Sequence, residues 1–186
     1  MEHMFQKRID YEIILKLINK DSHLRALSKE LDIPITTLFR KMNPLVDANV
    51  LVAKSEGRNK VFSLRDSVEA KSMVFISEHY KFLKLIHEYP VLKLIFRDVL
   101  KESTSDVIIL FGSYAKFNAN EHSDIDIFIL SMDKSEKKKI EMVNTKIKVN
   151  ISSELNEENL LVQEIVKDHV IIKGVEKYYE KKRIFS

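Results

Sequence analysis

The sequence contains no cysteine, which excludes a disulfide framework and any thiolate metal site. No apolar run approaches the roughly 20 residues that a membrane-spanning helix needs, so no membrane partner is expected. The first residues, MEHMFQKRIDYEIIL, mix acids with bases and hold no signal-like apolar block. A cytoplasmic location is therefore the expectation. Glycine is scarce, with only Gly57, Gly112 and Gly174. Glycines this rare tend to stand where the backbone needs positive φ or a close approach, and two of the three fall inside the motifs read below.

What is present suits packed, soluble domains: 45% hydrophobic and 32% charged residues in a chain of 186, enough for one large domain or two small ones. The net charge of +3 is uneven. Residues 1–66 hold 12 Lys and Arg against 9 Asp and Glu, whereas the remainder balances at 19 of each. The excess in the first third is mild and permits nucleic-acid binding without requiring it.

In that first third, Ile9, Ile13, Ile14 and Leu17 recur at helical spacing with one apolar face. A second helix is predicted near 23–31, with Leu24, Leu27 and Leu31 inward. Pro34 cannot continue it and disfavours a helical Ile33. A third helix is predicted from Ile35 or Thr36, carrying Leu38, Met42 and Leu45, with a kink or an early end at Pro44. VLVAKSEGRNKVFSL, residues 50–64, then places two β-prone runs around S-E-G-R-N, a hairpin with Gly57 in its turn. Three short helices and a hairpin over residues 1–66 resemble the DNA-binding domains of prokaryotic winged-helix regulators. The resemblance implies that the third helix enters the major groove and the hairpin touches backbone or minor groove. It implies DNA contacts from Thr36, Thr37, Arg40 and Lys41 on the helix and from Arg58 and Lys60 on the wing. Arg40 reads a guanine edge or holds a phosphate; both stay open. So does use of the module for dimerisation or protein contact, its charges merely solvated.

Residues 67–90 read as a helical connector, with one long helix over 67–88 and Pro90 interrupting. A further helix, VLKLIFRDVLKE, follows. Phe75, Tyr80, Phe82, Tyr89 and Phe96 fall at helical spacing and read as core or dimer contacts, so a homodimer is one expectation. His79 and His87 lie eight apart, too far for two ligands on one helix face, and read as structural or surface residues.

Residues 91–186 hold the densest chemistry. Val107 to Phe111 is a short apolar run ending at Gly112-Ser113, a buried strand and a turn. After N-A-N-E-H-S, the stretch Asp124 to Leu130 alternates as D-I-D-I-F-I-L, a second strand. Side chains alternate along a strand, so Asp124 and Asp126 are expected on one face, beside the Gly-Ser turn. Two carboxylates that close repel, and a cation relieves them. Such a pair suits Mg2+, which prefers oxygen ligands and substrate phosphates. The Gly-Ser turn supplies N–H groups and a hydroxyl for phosphate oxygens.

Gly112-Ser113, ten residues, then Asp124-x-Asp126 resembles the signature of the minimal nucleotidyltransferases, a branch of the DNA polymerase β superfamily. HVIIKGVEKYY, residues 169–179, is similar to the closing strand and tail of such domains. The whole chain is then α+β: a winged helix-turn-helix (1–66), a helical connector (67–90) and a nucleotidyltransferase-like domain with a mixed sheet and flanking helices (91–186). The resemblance implies that Asp124 and Asp126 hold Mg2+ and that Gly112 and Ser113 hold the β- and γ-phosphates of ATP or another nucleoside triphosphate. A nucleophile attacks the α-phosphorus and pyrophosphate leaves, transferring AMP to a hydroxyl. It further implies that an acceptor would be an RNA or a separate HEPN-type toxin modified on tyrosine, with the chain as an autoregulating antitoxin.

One departure bears on catalysis. Active members of the family that the chain resembles usually carry a third carboxylate on a following strand, though many small relatives lack a clear one. The next β-like run here is TKIKVNISSEL, residues 145–155, whose period places Asn150 where that acid is sought, with Glu154 four residues on. Either one metal site suffices or the domain binds nucleotide without turnover, as a sensor within a regulator; a dimeric scaffold with neither activity is the third reading. Lys134, Lys137, Lys138 and Lys139 form a basic run that reads as a solvated helix face before a phosphate or RNA contact.

Overall fold

A computed structural model describes residues 8–57, 59–156, 158–182 and 184–185. The chain divides into two compact units, one reaching to Tyr80 and the other running from Lys81 to Ile184. The division falls inside a single long helix. Among the described residues no helix is long and apolar enough to cross a membrane.

The first unit runs α1 (Ile9–Leu17), β1 (Ser22–His23), α2 (Leu24–Leu31), α3 (Ile35–Asp47), β2 (Leu51–Glu56), β3 (Asn59–Leu64) and the start of α4 (Val68–Glu88). The predicted apolar faces turn inward: Ile13, Ile14, Leu17, Leu27, Leu31, Leu38, Met42 and Leu45 are all buried. A fully buried side chain of this kind contributes on the order of 2 kcal/mol. β2 and β3 form an antiparallel hairpin, Leu51 opposite Leu64 through to Glu56 opposite Asn59. Gly57 stands between them at φ +60°. The two-residue β1 adds to the other edge of β3, giving the order β1-β3-β2.

Pro44 does not end α3, as its position suggested. The helix continues one turn and closes where Asn49 takes φ +62°. The Val50 N–H donates to the Leu45 carbonyl at 2.9 Å and the Asn49 N–H to that of Val46 at 3.1 Å. That paired pattern satisfies the last carbonyls. It makes the left-handed Asn49, and not the proline, the terminator.

The second unit comprises the rest of α4, then α5 (Leu92–Glu102), β4 (Val107–Phe111), α6 (Gly112–Ala115), β5 (Ile125–Leu130), α7 (Ser135–Glu141), β6 (Ile147–Ser152), α8 (Leu160–Lys167), β7 (Val170–Lys173) and α9 (Val175–Lys182). Its sheet has the order β6-β5-β4-β7. β4 pairs antiparallel with β5 and β7, and β5 pairs parallel with β6. β4 is buried along its whole length, as an inner strand covered on both faces should be. On β5 the isoleucines 125, 127 and 129 enter a core with Leu85, Leu92, Ile95, Phe96, Val99, Ile140 and Val149. Aromatic residues of the predicted connector belong to the cores. Tyr11 and Tyr80 meet in the first unit at 5.3 Å between ring centroids. In the second unit Phe82 meets Phe96 at 6.0 Å and Tyr89 meets Tyr114 at 5.0 Å. His79 and His87 are exposed.

The loop that delivers β4 is anchored by a buried acid. Glu136, at the start of α7, accepts from the Ser103 hydroxyl and, at 2.8 Å, from the Ser105 N–H. Burial pushes its carboxyl upward. Hydrogen bonds from the Ser103 and Ser131 hydroxyls and the backbone of residues 104 and 105 outweigh that and hold it below the usual range.

Candidate active site

β4 and β5 converge on one end of the sheet. β4 delivers Phe111, after which the backbone turns at Gly112 into the short helix α6. In the register of the pair, Phe111 stands opposite Asp126. Asp126 is thus placed against the turn, half-buried on an inner strand. Gly112 takes φ +71°. A Cβ built there would overlap Oδ2 of Asp126 and lie 3.1 Å from its Cγ. The missing side chain at 112 is therefore the seat of the Asp126 carboxylate, and Ser113 follows immediately in α6.

Asp124 is not on the strand. β5 begins at Ile125, and Asp124 is exposed at the end of the preceding loop. The alternation argument thus applies to Asp126 and not to its partner. The two acids still sense one another. Burial, then the negative charges of Asp124 and Glu164, push the Asp126 carboxyl above its ordinary range, with Lys148 opposing.

The strand beside them departs from expectation. The parallel register sets Lys148 of β6 abreast of Asp126, and Asn150 abreast of Phe128, one pleat further from the site. Asn150 therefore does not occupy the place next to the carboxylate pair; Lys148 does. Glu164, on α8, is the acid that sequence reading passed over. Its carboxylate binds Lys116 Nζ at 2.9 Å, just past α6. The signal for α8 is visible in the chain: Asn159 caps it, its side chain accepting from the Leu161 N–H at 2.9 Å, before apolar Val162 and Ile165.

The residues present fit Mg2+. Two carboxylates, one half-buried at Asp126 and one exposed at Asp124, leave positions for water and phosphate oxygens as this ion requires. The cradle at Gly112 holds Asp126 ready. Among the described residues no group of three or more histidines or acids is arranged to hold a metal ion.

An acid with a raised pKa destabilises the fold at neutral pH. The folded state holds the Asp126 proton more tightly than the unfolded chain, so this contribution is most favourable at low pH and is lost as pH rises through the folded value. In metal-free buffer at neutral pH, Asp126→Asn should therefore raise the melting temperature. The expected rise is small, because Asp126 is only half-buried and solvent screens the penalty. The difference should vanish at acidic pH. Added Mg2+ should stabilise only the wild-type chain, which differential scanning calorimetry would read directly.

The residues expected at a DNA interface lie in the first unit. Thr36 and Arg40 are exposed and Thr37 half-buried on α3. Lys41 is turned toward α1, where its Nζ lies 3.7 Å from Asp10. Lys60 is on β3, its Nζ 5.8 Å from the centre of the Phe39 ring. Arg58 lies outside the described residues. Of the basic run, Lys134, Lys137, Lys138 and Lys139 are all exposed on or beside α7.

Residues 96–178 match the model of a family described as Polymerase beta, Nucleotidyltransferase. The match spans Gly112, Ser113, Asp124, Asp126 and Lys148 and supports placing this segment in the polymerase β nucleotidyltransferase superfamily. No curated protein and no solved structure matches the chain.

Proposed function

We propose that the chain is a Mg2+-dependent nucleotidyltransferase that moves a nucleotide, AMP from ATP, onto a hydroxyl of a protein or an RNA. The observation that carries this reading is the seating of Asp126 on Gly112, within a segment that matches nucleotidyltransferases. Asp126 and Asp124 would hold the cation, which when bound would neutralise charge developing on the triphosphate. Ser113 donates its hydroxyl to a phosphate oxygen, and the bare backbone of Gly112 lets the phosphates approach. The acceptor oxygen bonds to the α-phosphorus as the bond to the bridging oxygen breaks. Pyrophosphate leaves, and the hydroxyl proton passes to solvent. An RNA or a separate HEPN-type protein modified on tyrosine would suit as acceptor, with the chain acting as its antitoxin in the cytoplasm. The test is transfer of label from α-32P-ATP to host proteins and RNA, beside an Asp124→Ala/Asp126→Ala control. Label on one macromolecule that needs both acids supports the reading; label that survives their removal sinks it.

A second reading is a transcriptional regulator whose transferase domain senses nucleotide without turnover. It is favoured by Lys148 standing abreast of Asp126. Both readings share a DNA-binding first unit, for which the exposed Thr36 and Arg40 beside the β2–β3 hairpin speak. The logarithm of duplex DNA affinity should then fall linearly with log salt, and Arg40→Ala should reduce that slope by about 1 if Arg40 neutralises a phosphate. Lys41→Ala should change it less, since Asp10 already pairs with Lys41. Fluorescence anisotropy across a salt series measures both: an unchanged slope in Arg40→Ala shows that the residue neutralises no phosphate, and an unchanged slope and affinity together remove it from the interface.

A further inference from the structure

We propose that the carboxylate pair takes a single divalent cation and that Lys148 supplies the second positive charge of the site; this rests on the nucleotidyl-transfer reading above. Residues abreast in a parallel pair project to the same face of a sheet. On the face that bears Asp126, β6 therefore presents Lys148, then Asn150 abreast of Phe128, then Ser152 abreast of Leu130. That row offers an ammonium, an amide and a hydroxyl, with no carboxylate in it. The other acid whose field reaches Asp126 is Glu164, and its carboxylate is engaged by Lys116 at 2.9 Å.

Two divalent ions in one phosphoryl-transfer site stand about 3.5–4 Å apart. Ions that close need anionic ligands between and around them. The phosphates bring negative charge of their own, but from the protein only Asp124 and Asp126 offer carboxylates, enough for one ion and not for the anchoring of two. A second ion on the β6 side would meet an ammonium where it needs an oxygen anion. An ammonium is itself a compact cation suited to phosphate oxygens. Lys148 is exposed on an edge strand, and its four-carbon stem can follow a triphosphate from there. Asp124, Asp126 and Lys148 thus divide the work: two acids for one ion, and one base for the phosphates.

The experiment counts bound Mn2+ on the full chain by electron paramagnetic resonance, with α,β-methylene-ATP as a nucleotide that cannot be split at the reacting bond. The expected result is one ion per bound nucleotide in the wild type and in Glu164→Gln, and two in Lys148→Asp. Lys148→Met should keep one ion and bind the Mn2+–nucleotide about tenfold more weakly, the loss of one charge-assisted contact. Two ions on the wild-type chain would overturn the proposal, and a fall to one in Glu164→Gln would name Glu164 as the missing ligand. One ion in Lys148→Asp, or undiminished affinity in Lys148→Met, would equally overturn it. A wild-type chain that retains no Mn2+, or retains it after Asp124→Ala/Asp126→Ala, would fail at the earlier stage and take the nucleotidyl-transfer reading with it.

Discussion

On the proposed function, Asp126→Ala is expected to lower Mg2+-dependent nucleotidyl transfer by about a thousandfold, with the loss in kcat, because it would remove the proposed cation ligand, whose effect falls on charge developing in the transition state. No neighbour stands ready to replace it. Asp124 is exposed on the loop before β5, Glu164 is bound to Lys116, and the residue abreast on β6 is Lys148. The substitution should leave the fold intact, since the carboxylate it removes is half-buried and held above its ordinary pKa by burial and by Asp124. Initial rates of pyrophosphate release, with circular dichroism to check folding, decide the matter. A variant that keeps a tenth or more of the wild-type rate, about the loss of one ordinary contact, would show that this carboxylate is not the centre of the chemistry.

Gly112→Ala is expected to damage stability and transfer together. The backbone at 112 has φ +71°, which costs an L-residue about 1–2 kcal/mol. The added methyl must also displace the Asp126 carboxylate, whose Oδ2 it would overlap. A fall in melting temperature of roughly 5–15 °C follows. Transfer should fall toward the level of Asp126→Ala, because the group that has to move is the proposed cation ligand. The two substitutions should not add: once Asp126 is alanine, the overlap is relieved and only the dihedral cost remains. Gly57→Ala is the control. It shares the positive φ, +60°, but a Cβ there meets nothing within 4 Å, so it should show the dihedral cost alone.

The elements that were legible in the sequence are those whose burial leaves a period. α1, α2 and α4 have one apolar face, and β4 and β5 are apolar runs bounded by the Gly-Ser turn and by the loop residues before Asp124. β1 left no such trace: Ser22 and His23 are a strand only because Phe62 and Val61 of β3 lie beside them, and two residues cannot show alternation. The carboxylates were legible because acids are unexpected at the edge of an apolar run. The neighbour across the sheet was not. The period of two tells which residues of β6 share a face, and Lys148 and Asn150 both satisfy it. Which of them stands abreast of Asp126 depends on how far the crossover through α7 carries the chain before β6 begins, and that length is a tertiary quantity. Of the two outcomes expected at Pro44, the early end does not occur: the proline lacks one N–H donor, but the helix runs on and ends where Asn49 leaves the α region.

β5 lies between β6 and β4, and β6 lies at the rim of the sheet. Amide protons on an inner strand are released to solvent only when the sheet itself opens, whereas a rim strand can fray from one side. Asp126 is carried by the first kind of strand and Lys148 by the second. The geometry of the carboxylate is thereby tied to cooperative unfolding of the whole domain, while the lysine is tied to a cheaper, local opening. On the proposed roles, the contribution of Lys148 to nucleotide affinity should therefore decay at lower denaturant than that of Asp126.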